Sequence, residues 1–181
     1  MLTESKIIEL TSLFPEDAPE LAEVANNPKV ALYLRDSFPQ PYTVEHAREF
    51  IKLMNEGNIQ SVFAVRYYGE MAGIAGAHLL TDVQKKTAEI GFWFGEKFWN
   101  RGIATEVCRQ ITTFAFTYFD IIKVQAEVAS PNSASARVLE KNGFKLEGTL
   151  RKSFHKNDQD WDLLVYGLLK EELEERQLHL I

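Results

Sequence analysis

The chain has 181 residues, 45% of them hydrophobic, and its 20 Lys and Arg against 26 Asp and Glu leave a formal charge of −6. That length and apolar content suit a single domain, 1–181, with a real core, and the acidic balance argues against nucleic acid as a partner when no basic patch compensates it. One cysteine permits no internal disulfide, Met1 to Ser5 carries no basic or long apolar run, and no segment approaches the roughly 20 apolar residues of a membrane span. Cytoplasm, with no membrane partner, is therefore the expected setting.

In chain order, Lys6 to Leu10 reads as a strand and Glu16 to Asn26 as a helix. Thr43 caps a helix that runs to about Asn55, with Phe50, Ile51 and Met54 apolar. Ser61 to Tyr67 and Met71 to Leu80 flank Tyr68-Gly69-Glu70, a hairpin signal. Ala88 to Phe94 reads as a strand, Gly95 to Phe98 as a short loop, and Trp99-Asn100-Arg101-Gly102 as the opening of a helix. On that helix Ala104, Cys108, Ile111, Ala115 and Tyr118 are expected to share one buried face. Val124 to Ala129 is a further strand. Pro131 and Asn132 punctuate, Ser133 stands where it can cap a helix with Ala134, Val138 and Leu139 as its stripe, and Gly143 falls where that helix ends. Lys145 to Phe154 and Asp160 to Leu169, joined across Asn157-Asp158, form a closing hairpin. Lys170 to Arg176 reads as the solvated face of a terminal helix, and the Leu178, Leu180 and Ile181 tail can dock on this chain or on a partner. The expected fold class is α+β (mixed αβ), a largely antiparallel sheet of about six to seven strands with about four main helices.

The helix opening at Gly102 carries chemistry. Its first turn presents backbone amides and the positive end of the helix dipole, Gly102 has no Cβ to keep an anion away, and Arg101 adds charge. No G-x-x-x-x-G-K-[ST] and no G-x-G-x-x-G occurs, which excludes a P-loop and a dinucleotide fingerprint. A lone Gly at a helix start also serves plain strand–helix packing.

Trp99-x-x-Gly102-x-Ala104 resembles the Q/R-x-x-G-x-G/A motif with which the GNAT N-acetyltransferase superfamily binds the pyrophosphate of acetyl-coenzyme A. Trp99 departs from the usual Gln or Arg, which touches the side-chain part of that binding and leaves the backbone part. Asn132-x-x-Ser135 followed after seven residues by Gly143-Phe144 resembles a second segment of the superfamily, about one βα unit further on. Phe38 to Tyr42, Ala88 to Gly91, Glu147-Gly148 and Asp162 to Leu169 resemble its RimJ/RimL-like ribosomal-protein acetyltransferase branch. The resemblance implies a GNAT-like sheet whose strands Ala88–Phe94 and Val124–Ala129 splay apart to admit the pantetheine arm. It implies acetyl-coenzyme A as co-substrate, held by Trp93 and Phe94 through their backbone, by Asn100, Arg101, Gly102, Ile103, Ala104 and Thr105, and by Asn132. It implies direct transfer within a ternary complex to a primary amine: a ribosomal-protein N-terminus, or a small amine such as a polyamine, amino acid or antibiotic. A homodimer is compatible with it.

Direct transfer needs an uncharged nitrogen and a route for the thiolate to leave, but no enzyme nucleophile. Cys108, on the apolar stripe, is accordingly read as core. Glu89 shares a strand face with Gly91 and Trp93, and a carboxylate against aromatic surface suits proton abstraction; the resemblance favours a base over a paired structural carboxylate or a rim charge, with Glu127 as a weaker second choice. Many members carry a Tyr general acid seven residues after the motif Asn, where this chain has Leu139; the branch offers Ser135 instead, as a hydroxyl donor to the departing sulfur or as an ordinary helix-start Ser. Asn132 either bonds the pantetheine amides or makes an Asx-turn, and the matching segment favours the cofactor. His46, His78 and His155 lack the spacing of a metal site, so no metal is expected, and His155 is read as a surface imidazole rather than a substrate contact. Two other classes compete: a non-catalytic acyl-coenzyme A sensor, and an interaction protein whose Gly102 turn only packs. Stabilisation by acetyl-coenzyme A separates the last from the others, and thiol release with an amine separates enzyme from sensor.

Overall fold

The structure, a computed structural model, describes residues 8–56 and 61–178. The elements are β1 (Ile8–Thr11), α1 (Ala18–Ala25), α2 (Pro28–Ala31), α3 (Val44–Glu56), β2 (Val62–Tyr67), β3 (Glu70–Leu79), β4 (Thr87–Phe94), α4 (Ile103–Tyr118), β5 (Lys123–Ala129), α5 (Ser133–Lys141), β6 (Lys145–Lys156), β7 (Gln159–Leu169) and α6 (Lys170–Leu178). The strands form one seven-stranded sheet in the order β1-β2-β3-β4-β5-β7-β6. β4 and β5 pair parallel, while β1–β2, β2–β3, β5–β7 and β6–β7 are antiparallel. This is the mixed, largely antiparallel α+β architecture expected from the sequence. The four main helices are α1, α3, α4 and α5; α2 is a single turn and α6 the charged terminal helix. Of the expected first strand, Lys6 and Ile7 lie outside the described residues, as do the side chains of the Leu178–Ile181 tail.

Both expected hairpins turn on two left-handed residues. Tyr68 (φ 51°) and Gly69 (φ 82°) join β2 to β3, and Asn157 (φ 50°) and Asp158 (φ 57°) join β6 to β7. Such a pair twists with the strands it connects, which is why two-residue links favour it.

Packing groups the chain into two units, Met1–Gly76 with Phe92–Val107, and Ala77–Gly91 with Cys108–Ile181. In the first, Leu21, Ala22 and Ala25 of α1 and Ala47 and Ile51 of α3 pack on Ala64, Met71 and Ile74. Val65, Ala72 and Ala75 pack instead with Phe94, Phe98, Ile103 and Val107. The three-residue steps from Met71 to Ile74 and from Ala72 to Ala75 follow from a bulge at Val65/Arg66, which interrupts the two-residue alternation. α3 begins with a reciprocal cap: the His46 N–H donates to Thr43 Oγ1 (3.3 Å) and the Thr43 N–H to His46 Nδ1 (3.1 Å). Histidine takes the role usual for Glu or Gln.

In the second unit Val124, Ala126 and Val128 of β5, Tyr166 and Leu168 of β7, Cys108, Ile111 and Ala115 of α4 and Leu139 of α5 are buried. Two expectations need correcting here. Tyr118 is not buried but 73% exposed, its ring lying 4.8 Å from that of Phe114. The buried stripe also includes Val107, Thr112 and Phe116; at 100° per residue position 118 still falls between Val107 and Ile111, and it is exposed because it is the last residue of α4, past the end of the core. α5 is capped by Asn132 rather than Ser133: Asn132 Oδ1 accepts the Ser135 N–H at 3.2 Å. Its stripe is Ala136 and Leu139, with Ala134 exposed and Val138 half-buried.

Burial pushes the Tyr42 phenol and the Cys108 thiol each up to about 12. Their unfolded counterparts ionise near 10 and about 8.5. Between those values and about 12 the unfolded chain holds fewer protons than the folded one, so their contribution to stability is complete below about pH 8.5 and is lost as pH rises. The urea midpoint is expected to fall from pH 9 to 11, and to fall less in Tyr42→Phe. An equally steep loss in that variant would show that the phenol is not a source.

Candidate active site

The segment between β4 and α4 is fixed at both ends by apolar anchors. Phe98, Ile103 and Val107 are buried, and the Gly95 N–H donates to Ala72 O at 2.9 Å. Trp99 closes the loop on the strand it leaves, its Nε1–H donating to Phe94 O at 2.7 Å. That donor is thereby used within the protein, where it holds the loop. Trp93 packs edge-on against Phe38 (ring centroids 5.4 Å apart) and Phe94 is buried, so both side chains belong to the core and only their backbone is offered to a ligand.

Asn100 (φ 59°) and Gly102 (φ 80°) are both left-handed and exposed. A Cβ on Gly102 would meet nothing within 4 Å, so the approach to this backbone is open. The Glu106 N–H donates to Gly102 O (3.3 Å) and starts the sixteen-residue α4. Among the described residues the amides of Gly102, Ile103 and Ala104 make no hydrogen bond. Three unmatched N–H groups at the positive end of a long helix, beside an exposed glycine, suit an anion such as a pyrophosphate.

In the second unit, the parallel β4–β5 ladder has three rungs, Thr87↔Lys123, Ala88↔Val124 and Glu89↔Gln125, and then stops. β5 continues along β7 as far as Ala129↔Leu163. Glu89 stands at the last rung. Its side chain is 15% exposed, Oε2 accepts from Gln125 Nε2 at 3.2 Å, and Oε1 lies 3.9 Å from His78 Nε2. Glu127 is exposed two residues beyond Gln125 on the same strand. Asn132 and Ser135 meet at the start of α5, where the cap holds the Asn132 carboxamide by its oxygen; among the described residues neither Asn132 Nδ2 nor the Ser135 hydroxyl makes a hydrogen bond. Leu139, at the Tyr position of other members, is 1% exposed and part of the core. His155 pairs with Asp160 on the exposed β6–β7 hairpin (2.7 Å), which holds the Asp160 carboxyl below its ordinary range.

Gln125 and His78 were not singled out from the sequence. Only strand register sets them beside Glu89, and register is not written in any one strand.

A sequence model of the acetyltransferase (GNAT) domain matches residues 8–145. The chain belongs to the GNAT acetyltransferase family. The putative ribosomal N-acetyltransferase YdaF of Bacillus subtilis (strain 168) is 31% identical to it over 177 residues, 92% of this chain and 93% of YdaF. A crystal structure of a probable acetyltransferase shares 30% identity and superposes with a TM-score of 0.80 over 93% of this chain and 96% of its own. Mycobacterium smegmatis RimJ in complex with CoA-disulfide, 22% identical, shares the fold with a TM-score of 0.83 over 93% of this chain and 84% of RimJ. This GNAT chain is thus an N-acetyltransferase.

Cys108 is fully buried, with its thiol pushed up to about 12 by burial. It is expected to react with a disulfide reagent about 100-fold or more faster in urea than in the native protein. Prompt labelling of the folded chain would return Cys108 to the list of reactive groups.

Proposed function

We propose that residues 1–181 form one acetyltransferase domain that moves an acetyl group from acetyl-coenzyme A directly to a primary amine. The observation that carries the co-substrate is the open turn at Gly102 with its unmatched amides. The RimJ complex with CoA-disulfide supports it, and the ribosomal substrate in YdaF's name makes a protein N-terminal amine the first acceptor to test, ahead of small amines. In this reading Gly102, Ile103 and Ala104 hold the pyrophosphate, Asn100, Arg101 and Thr105 flank it, and Trp93 and Phe94 contribute backbone groups. Asn132 Nδ2 donates to a pantetheine carbonyl.

Bound acetyl-coenzyme A supplies an electrophilic thioester carbonyl. The chain's residues manage protons. An N-terminal amine titrates near 7.7–8.0 and an alkyl amine near 10.4, so much of either is protonated at neutral pH. Glu89 accepts the proton that frees the nitrogen lone pair and passes it to solvent; the C–N bond forms as the C–S bond breaks, a second proton leaves the nitrogen for solvent as the amide forms, and the sulfur takes a proton from Ser135 Oγ, which recovers one from solvent. A thiol titrating near 8.5 leaves readily, so the acid's share is small, in keeping with a hydroxyl where other members use a phenol.

Thiol release from acetyl-coenzyme A is the test, against ribosomal-protein N-terminal peptides, spermidine, free amino acids and aminoglycosides. Amine-dependent release is expected; binding of acetyl-coenzyme A without release from any amine would favour a non-catalytic sensor.

Gly102→Asp places a carboxylate among the amides of the turn. By calorimetry it is expected to weaken acetyl-coenzyme A binding by about 100-fold while the variant stays folded. Unchanged affinity would remove the turn from the binding site. Ser135→Ala should slow transfer roughly 10–100-fold with little effect on cofactor affinity, and a thioester of lower thiol pKa should recover most of the rate. Equal slowing with both donors would assign Ser135 to the helix start alone.

A further inference from the structure

We propose that Gly73 of β3 is a positioning residue for the co-substrate: having no side chain, it lets the Trp93–Phe94 peptide lie over β3 and so aims the Phe94 N–H away from that strand, toward the pantetheine arm of acetyl-coenzyme A. This rests on the reading that Trp93 and Phe94 offer backbone groups to the co-substrate.

The steric observation is specific. A Cβ on Gly73 would stand 2.0 Å from Trp93 O, 2.8 Å from Phe94 Cα and 2.9 Å from Trp93 C. These are backbone atoms, which cannot swing aside as the end of a side chain can, so the peptide fills the place where any other residue would keep its side chain. A side chain leaves a strand roughly perpendicular to the sheet, and the Trp93–Phe94 peptide has therefore left the plane that a flat ladder would give it. Its carbonyl meets Gly73 oxygen first, the oxygen being nearer than the carbon. Gln40–Pro41 is the one cis peptide among the described residues, so Trp93–Phe94 is trans and its N–H points opposite to its carbonyl. The Phe94 N–H thus faces away from Gly73.

β3 is shaped for this approach. Its register against β2 passes from Val65↔Gly73 to Arg66↔Met71, which leaves Ala72 as the extra residue of a bulge immediately before Gly73. A bulge adds twist and re-aims the strand that carries it. The carbonyl of that extra residue accepts the Gly95 N–H at 2.9 Å, and Phe94 O accepts the Trp99 indole N–H at 2.7 Å. On either side of the peptide the rings are anchored as well: Phe94 is buried and Trp93 packs edge-on against Phe38. With its flanks held, the peptide takes the tilt that the room beside Gly73 allows. Gly76, on the same strand, differs. A Cβ there would meet Val62 Cγ2 at 3.0 Å and Ser61 O at 3.1 Å, and its three nearest atoms all belong to Ser61 and Val62, so a side chain at 76 presses on β2 and not on β4.

The test follows pantetheine and adenosine 3′,5′-bisphosphate, two fragments of coenzyme A, on the parent, Gly73→Ala and Gly76→Ala. Amide-resolved NMR reads the Phe94 N–H, calorimetry reads the affinities for acetyl-coenzyme A and for the bisphosphate, and thermal unfolding reads stability. In the parent, pantetheine is expected to shift the Phe94 amide and the bisphosphate to leave it in place. Both variants are expected to unfold at lower temperature. Gly73→Ala alone should lose the Phe94 response and bind acetyl-coenzyme A about tenfold more weakly, with the bisphosphate unchanged within about twofold. A role in stability alone would lower the unfolding temperature and leave the ratio of the two affinities at its parental value. Folded Gly73→Ala that keeps the parental Phe94 response, or that weakens both ligands alike, would overturn the positioning role and leave the backbone contact in place. A parental Phe94 amide that does not respond to pantetheine would overturn the contact and the positioning role together, and that measurement needs no variant to fold.

Discussion

The first turn of α4 holds backbone N–H groups that no described residue satisfies, and the structure before it keeps them that way. Gly102, Ile103 and Ala104 have no acceptor among the described residues, and Gly102 places no Cβ in front of them. Unmatched amides are tolerable only where solvent or a ligand reaches them. The loop must therefore stay on the surface while its neighbours are buried. Phe98 on one side and Ile103 and Val107 on the other supply the burial, and the Trp99 indole ties the loop back to the end of β4. A flexible loop carrying the same residues would lose ordering entropy on binding each anion; one held at three points has lost it on folding.

The second unit makes milder demands, and its residues reflect them. Acyl transfer from a thioester to an amine needs little help with the leaving group, so a core Leu139 in place of a phenol is consistent with turnover. What the proposed transfer asks for is a base. Glu89 is mostly buried at a rung where the ladder ends, with a neutral amide on one oxygen and an imidazole near the other. Apolar packing elsewhere in this unit, from Cys108 to Leu139, buries the one cysteine.

Much of this was legible in the sequence, for reasons that differ from element to element. Tyr68-Gly69 and Asn157-Asp158 announced their hairpins because few residue pairs accept two left-handed conformations in a row. Gly102 announced the start of α4 because its neighbours carried a strand on one side and helical spacing on the other. Tyr118 was misplaced because helical spacing says that a face exists but not where the neighbouring core stops. The cap fell to Asn132 rather than Ser133 because a one-residue shift in helix start changes no periodicity. The bulge at Val65/Arg66 and the Glu89↔Gln125 rung were invisible for a common reason: each is a property of two strands together, and a single strand's alternation is the same in every register.

The central claim is that the amides of Gly102, Ile103 and Ala104 hold the pyrophosphate of the co-substrate. It is tested most directly by amide-resolved NMR of the folded protein with and without coenzyme A, reading chemical shift and hydrogen exchange at those three residues. The account predicts that all three shift and gain protection on binding, with the phosphate-free pantetheine fragment leaving them unchanged. Coenzyme A that binds while these amides keep their free shifts and exchange rates would contradict it.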